Sequence, residues 1–164
     1  MALTADEREL AETLRAWAAL SPPLPGDRYG SLYALLLDLG EWFAPEALPV
    51  DVERGPAGFC YANAAEVATA RGWTYVEGLA LVDTGSTRLP VPHAWACPGP
   101  AGTAAEVTWP PGRGVAYLGV PLAADTWSAR PFWDSSPVLD VHARRELLRD
   151  GVPRCWHAKA AELP

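Results

Sequence analysis

The sequence predicts an α+β domain, with helices packed on an antiparallel β-sheet, from three observations. Apolar residues recur at helical spacing through the first part of the chain. From Trp73 onward the pattern turns to β-branched and aromatic runs, parted by short Gly/Pro-rich turns that favour antiparallel neighbours. At 164 residues, 49% hydrophobic with eight tryptophans, the chain can bury one core without metal or disulfide staples. A single domain over 1–164 follows: N-terminal helices in 1–43, a cysteine-bearing helix plus sheet in 58–122, and a C-terminal helical segment in 138–164.

Taken in order, Thr4 with Glu7 three residues later is a capping-box signature. Leu10, Leu14, Trp17 and Ala18 then extend a helix over about 5–20. Ser21-Pro-Pro-Leu-Pro-Gly ends it. A second helix begins near Ser31, turns Leu32, Leu35, Leu36 and Leu39 inward, and stops around Gly40. Residues 44–58, with three prolines and two glycines, read as a loop. From Cys60 to Arg71 the period is helical, with Gly72 as C-cap. Strands are expected over 73–82, 91–97, 104–109 and 115–120. A last helix is expected over about 139–149, with a helical tail from Arg154.

Charge narrows the function. The net charge is −7 and the chain has one lysine, Lys159, which disfavours nucleic acid and anionic membrane surfaces as partners. Arg144-Arg145 reads as the solvated side of a helix. No run of apolar residues is long enough for a transmembrane span. The acidic, amphipathic N-terminus lacks the features of a signal peptide, so a cytoplasmic protein is expected. Three cysteines, an odd number, agree with that and argue against a disulfide framework. Abundant Ala, Pro, Arg and Gly, with no Ile and no Gln, match a GC-rich bacterial genome.

Three short stretches carry chemistry: Gly58-Phe-Cys-Tyr-Ala-Asn63, His93-Ala-Trp95 and Glu106-Val-Thr-Trp109. A free thiol has a pKa of roughly 8.5 and needs help to become a nucleophile. A helix N-terminus and an imidazole backed by a carboxylate both supply it. Cys60 at a helix start, His93 on one strand and Glu106 on the next supply these parts. Asn63, the one carboxamide side chain, shares a helix face with Cys60. It can donate to a substrate carbonyl or tie the 44–58 loop to the helix. The Cys60 backbone amide is the expected oxyanion donor. Trp95 shares a strand face with His93 and is expected to shield the imidazole. Trp109 alternates away from Glu106 and is assigned to the core.

These residues resemble the transglutaminase-like cysteine-enzyme superfamily, related to papain-like folds. The likeness spans about 58–110. Ala104-Ala-Glu-Val-Thr108 stands where members show an apolar-apolar-Asp-Pro-Thr motif. The resemblance implies a transglutaminase-like core, with Cys60 as nucleophile, His93 as base and Glu106 as the orienting acid. Glu106 replaces the usual Asp, and no Gln is present for a papain-type oxyanion role. What it implies is an acyl-group enzyme (amidase, peptidase, deamidase or acyl transferase) that needs no cofactor. Its substrate would be a peptide, a protein or a small amide or thioester, with specificity carried by loops 44–58, 83–90 and 123–137.

Two other readings compete. A catalytically inactive relative would bind a peptide or protein through the same cleft, and would show a deeply buried Cys60 or a His93 turned away from it. A zinc-stabilised binding domain would use His93, Cys97, Cys155 and His157, although four-residue strand spacing parts the first two. His142 reads as a surface residue, and Trp127, Phe132 and Trp133 as a cluster lining a cleft or covering a sheet edge.

Overall fold

The structure, a computed structural model, describes residues 2–99, 102–128 and 136–158. Helix α1 (Ala5–Ala19) starts at the expected capping box: the Thr4 hydroxyl accepts from Glu7 N, and the Glu7 carboxylate accepts from Thr4 N. Helix α2 (Leu32–Leu39) is capped by Ser31. Helix α3 (Cys60–Arg71) ends at Gly72, whose φ of 65° is the left-handed conformation expected there. Between α2 and α3 lies a strand, β1 (Glu41–Glu46), and after α3 come β2 (Thr74–Asp83), β3 (Arg88–Cys97), β4 (Thr103–Ala105) and β5 (Gly114–Leu122).

The class is α+β, as the sequence predicts, but the sheet is mixed and closes into a five-stranded barrel in the order β1-β4-β3-β2-β5. Four of its five pairings are antiparallel, and β1 lies parallel to β4. Strand β1 is the element the sequence hides. It is short, carries Pro45, and runs into the proline-bearing stretch read as loop. Closure depends on it, because β1 is the link between β5 and β4.

Both faces of the barrel wall are buried, which is why β2 and β5 read as almost unbroken apolar runs. Phe43, Val76, Ala80, Trp95, Ala104 and Tyr117 fill the inside. Tyr75, Leu79, Leu81, Ala94, Leu118 and Val120 face outward, onto Leu10 and Leu14 of α1, Leu35 and Leu36 of α2, and Ala64 and Ala68 of α3. The narrow interior admits Trp95 because β5 has a glycine opposite it: a Cβ on Gly119 would lie 2.5 Å from the indole.

Two expected elements are shorter than their patterns suggest. Strand β4 stops at Ala105 because the Glu106 carboxylate takes the backbone N–H groups of Thr108 and Trp109, which curls the chain out of the ladder. The helix expected over 139–149 is confined to α5 (Glu146–Asp150). Upstream, Asp140 Oδ1 accepts from His142 N and Ala143 N, and the Glu77 carboxylate accepts from Val138 N and Leu139 N. Donors claimed by side chains leave that segment as turns. A short helix α4 (Ala124–Trp127) and a 3-10 turn at Arg154–Trp156 are the remaining elements among the described residues. Trp127 is buried against Tyr75, so it covers the outer face of the barrel. Phe132 and Trp133 lie outside the described residues.

Candidate active site

Cys60, His93 and Glu106 come together where the α3 N-terminus meets the barrel. In the β2–β3 ladder His93 stands opposite Gly78, on the inward side it shares with Trp95. Its side chain is wholly buried. Glu106 leaves the end of β4 and reaches back into the same interior, placing Oε2 at 2.8 Å from His93 Nε2. Helix α3 packs on β3 more closely than on any other strand, which brings the half-buried Cys60 to the imidazole.

Glu106 is held as an anion. Oε1 accepts from the backbone amides of Thr108 (2.7 Å) and Trp109 (2.9 Å). Oε2 accepts from the Tyr117 hydroxyl at 3.0 Å and faces His93. Burial alone pushes this carboxyl up. The imidazole and the two backbone amides outweigh that and hold it below its ordinary value. In His93 burial, the largest influence, favours the neutral ring. The Cys60 thiol and the Glu106 carboxylate together overcome it and hold the imidazole above its ordinary value.

With Nε2 directed at Glu106, Nδ1 is the nitrogen left for the thiol. It completes no hydrogen bond in the resting arrangement, although Cys60 lies near enough to act on the ring's charge. Cys60 is half-buried rather than deeply buried.

The N-terminus of α3 is open. Phe59, in the N-cap position, offers no side-chain acceptor, whereas Thr4 and Ser31 cap the two preceding helices. The first intrahelical bond runs from Asn63 N to Phe59 O, so the amides of Cys60, Tyr61 and Ala62 have no acceptor within the helix. Negative charge is favoured at such a helix start.

The two residues added to the triad at the sequence level hold different positions. Asn63 Nδ2 donates to Pro56 O and to Thr108 Oγ1, both at 2.9 Å, so its amide ties the preceding loop and the Glu106 turn to α3. Trp95 sits deep in the barrel, completely buried, with its ring centre 6.5 Å from that of His93. The ring that covers the imidazole is Trp109, assigned to the core from strand alternation. Since the strand has already ended, the turn carries Trp109 back over His93 at 3.6 Å between ring centres and 7° between planes. Tyr117 had no signal in the sequence, because a tyrosine on a core strand reads as packing.

Other assignments separate from the site. Among the described residues no group of three or more His, Cys, Asp or Glu side chains could hold a metal ion. His93 and Cys97 lie inside the barrel, while Cys155 and His157 line a separate surface hollow with Trp73 and Trp127, so the four-ligand zinc set is not assembled. His142 is exposed. No helix among the described residues is long and apolar enough to cross a membrane. A cavity of about 550 Å³ is bordered by Tyr61, next to Cys60, and by Pro92, next to His93. Its far walls come from the α1–α2 connection and the turns around Leu139.

No family model, curated protein or solved structure matches the chain.

Proposed function

We propose that this protein is a cysteine-dependent acyl-group enzyme with a Cys60–His93–Glu106 triad, of the kind found in the transglutaminase-like superfamily. The observation that carries this reading is the division of one buried imidazole between two partners. Nε2 is 2.8 Å from an ionised Glu106, and the other nitrogen is left to the Cys60 thiol. A histidine needed only for packing has no reason to be wholly buried against a carboxylate that also accepts from two backbone amides and a tyrosine hydroxyl.

The steps follow from the residues. Sγ of Cys60 attacks the carbonyl carbon of an amide, ester or thioester while its proton passes to His93 Nδ1. The carbonyl electrons move onto oxygen, and the unpaired amides at the start of α3 donate to that oxyanion. As the intermediate collapses, His93 returns the proton to the departing amine, alcohol or thiol, leaving a thioester on Cys60. Water or an amine then attacks the thioester as His93 takes its proton, the C–S bond breaks, and His93 hands that proton to Cys60 Sγ, releasing the acyl group as acid or amide. Glu106 keeps the imidazole in the orientation that points Nδ1 at sulfur throughout.

The test is alkylation by iodoacetamide, read peptide by peptide across about pH 5 to 9. Cys60 is expected to label at pH 6 faster than the more exposed Cys155, and to lose that advantage when His93 is replaced by Ala. Cys60→Ala should abolish turnover of any amide or thioester substrate found by screening while leaving the fold in place. If Cys60 labels no faster than Cys155 and keeps an ordinary thiol profile, the reading fails and a binding role takes its place.

A further inference from the structure

We propose that Tyr117 is a positioning residue of this site, whose hydroxyl shares Glu106 Oε2 with His93 and so limits how firmly the carboxylate holds the imidazole proton. The inference rests on the triad reading for its catalytic meaning, but its physical content concerns His93 and Glu106 alone. The Tyr117 hydroxyl lies 3.0 Å from Oε2, and His93 Nε2 lies 2.8 Å from the same oxygen. Two donors on one carboxylate oxygen divide its negative charge, and each is held less strongly than it would be alone.

The seat of this hydroxyl is built into β5. Along most of its length β5 pairs residue for residue with β2, from Tyr75↔Leu122 to Leu81↔Ala116. The next pair is Val82↔Gly114, so β5 spends one extra residue, Val115, on a bulge. That single residue reverses the alternation and puts Gly114 on the same inward face as Tyr117. A Cβ on Gly114 would come within 2.0 Å of the Tyr117 oxygen. The bulge and the glycine together leave the space in which the phenol reaches Glu106, a provision that packing of the ring alone does not require.

The groups facing the pair are few. From α3 there is Cys60, from β3 His93 and from β5 Tyr117. The inward residues of β1, β2 and β4 (Phe43, Gly78, Ala80 and Ala104) do not titrate. Arg54, at the exposed rim, donates to the Trp109 carbonyl rather than to the carboxylate. Among the described residues Tyr117 is therefore the neutral side-chain donor on the oxygen that faces His93, and replacing it does not alter the charge of the site.

The experiment is an NMR titration of the His93 ring in the whole protein, the resonance being assigned by its loss in His93→Ala. Tyr117→Phe keeps the ring and removes the donor, so the His93 midpoint should rise, by on the order of half a pH unit. Gly114→Ala keeps the phenol and crowds its oxygen out of its seat, so it should move the midpoint the same way. It also stands in if Tyr117→Phe does not fold. The double variant should shift it no further than Tyr117→Phe does. A midpoint that stays where it is, or falls, in either single variant overturns the proposal. Should Cys60 resist iodoacetamide while the midpoint rises as expected, the enzymatic reading fails and the role of Tyr117 stands.

Discussion

Trp109 lies flat on His93, the two rings 3.6 Å apart at 7°. The indole covers one face of the imidazole and fixes its plane between Glu106 and Cys60. Trp109→Ala should free the ring to turn and admit water. The rate of Cys60 alkylation at pH 6 is expected to fall by on the order of tenfold, because the gain from orientation is lost. Trp109→Phe preserves a stacking face and should recover most of the rate. Equal rates in the Ala and Phe variants would mean that the stack contributes packing and nothing to the geometry of the base.

Glu106→Gln is nearly isosteric, yet it cannot satisfy the same partners. The carboxylate faces four groups, the amides of Thr108 and Trp109, the hydroxyl of Tyr117 and the imidazole of His93. A carboxamide has one oxygen and one NH2 group, so in either orientation the NH2 meets one pair of them. With its NH2 toward Thr108 and Trp109, donors meet donors. With its NH2 toward His93, the imidazole must place its proton on Nδ1 and can no longer accept one from Cys60. The variant should slow Cys60 labelling at pH 6 by about 10²-fold or more. Unfolding in urea should show a loss of roughly 1–3 kcal/mol.

The shifts of the buried pair fix the sign of its pH dependence. His93 is held above its ordinary value of 6.5, so its contribution to stability is complete below 6.5 and is lost as pH rises through the higher folded-state value. Glu106 is held below its ordinary value of 4.5, so its contribution is complete above 4.5 and is lost as pH falls through the lower folded-state value. The stability difference between the wild type and a Glu106→Gln, His93→Phe double variant should therefore be largest between about pH 4.5 and 6.5 and shrink on both sides. Urea midpoints measured from pH 3 to 9 test this. A difference that kept growing above pH 7 would contradict the direction assigned to His93.

Much of this arrangement was legible in the sequence, and what was not has a common cause. Caps, turn glycines and the change of period at Trp73 are local signals, and they placed α1, α2, α3, β2, β3 and β5. The order Cys60, His93, Glu106 was visible because Cys60 opens a readable helix, His93 stands within a readable strand and Glu106 follows directly on β4. Where the sequence misled, a side chain took backbone donors away from a regular element. Glu106 did so at β4, and Asp140 and Glu77 before α5. Those local reversals hid the place of Trp109 over His93 and cut short an apparent helix. Strand β1 was illegible for a different reason. Its pairing with β4 is parallel and joins residues far apart in the chain, and Pro45 reads as a loop residue until Ala104 is seen beside it. Tyr117 needed the closed barrel, since only closure brings β5 across from the end of β4.

Asn63 supplies the remaining test, because it couples the site to the loop that leads into it. Its Nδ2 donates to Pro56 O and to Thr108 Oγ1, and the residue is nearly fully buried. The Pro56 carbonyl has no proton to give, so Asn63→Asp sets an anion against an acceptor inside the protein. Thr108 can turn its hydroxyl to donate, which relieves one contact and not the other. A loss of roughly 1–3 kcal/mol is expected at neutral pH in urea unfolding, easing as pH falls and the new carboxyl takes up a proton. Thr108 also gives its amide to Glu106, so loosening this tie should reach the triad. Cys60 labelling at pH 6 should slow in Asn63→Asp and be closer to wild type in Asn63→Ser, where no charge is buried. Slowing of equal size in both variants would place the effect on the helix start itself rather than on the Glu106 turn.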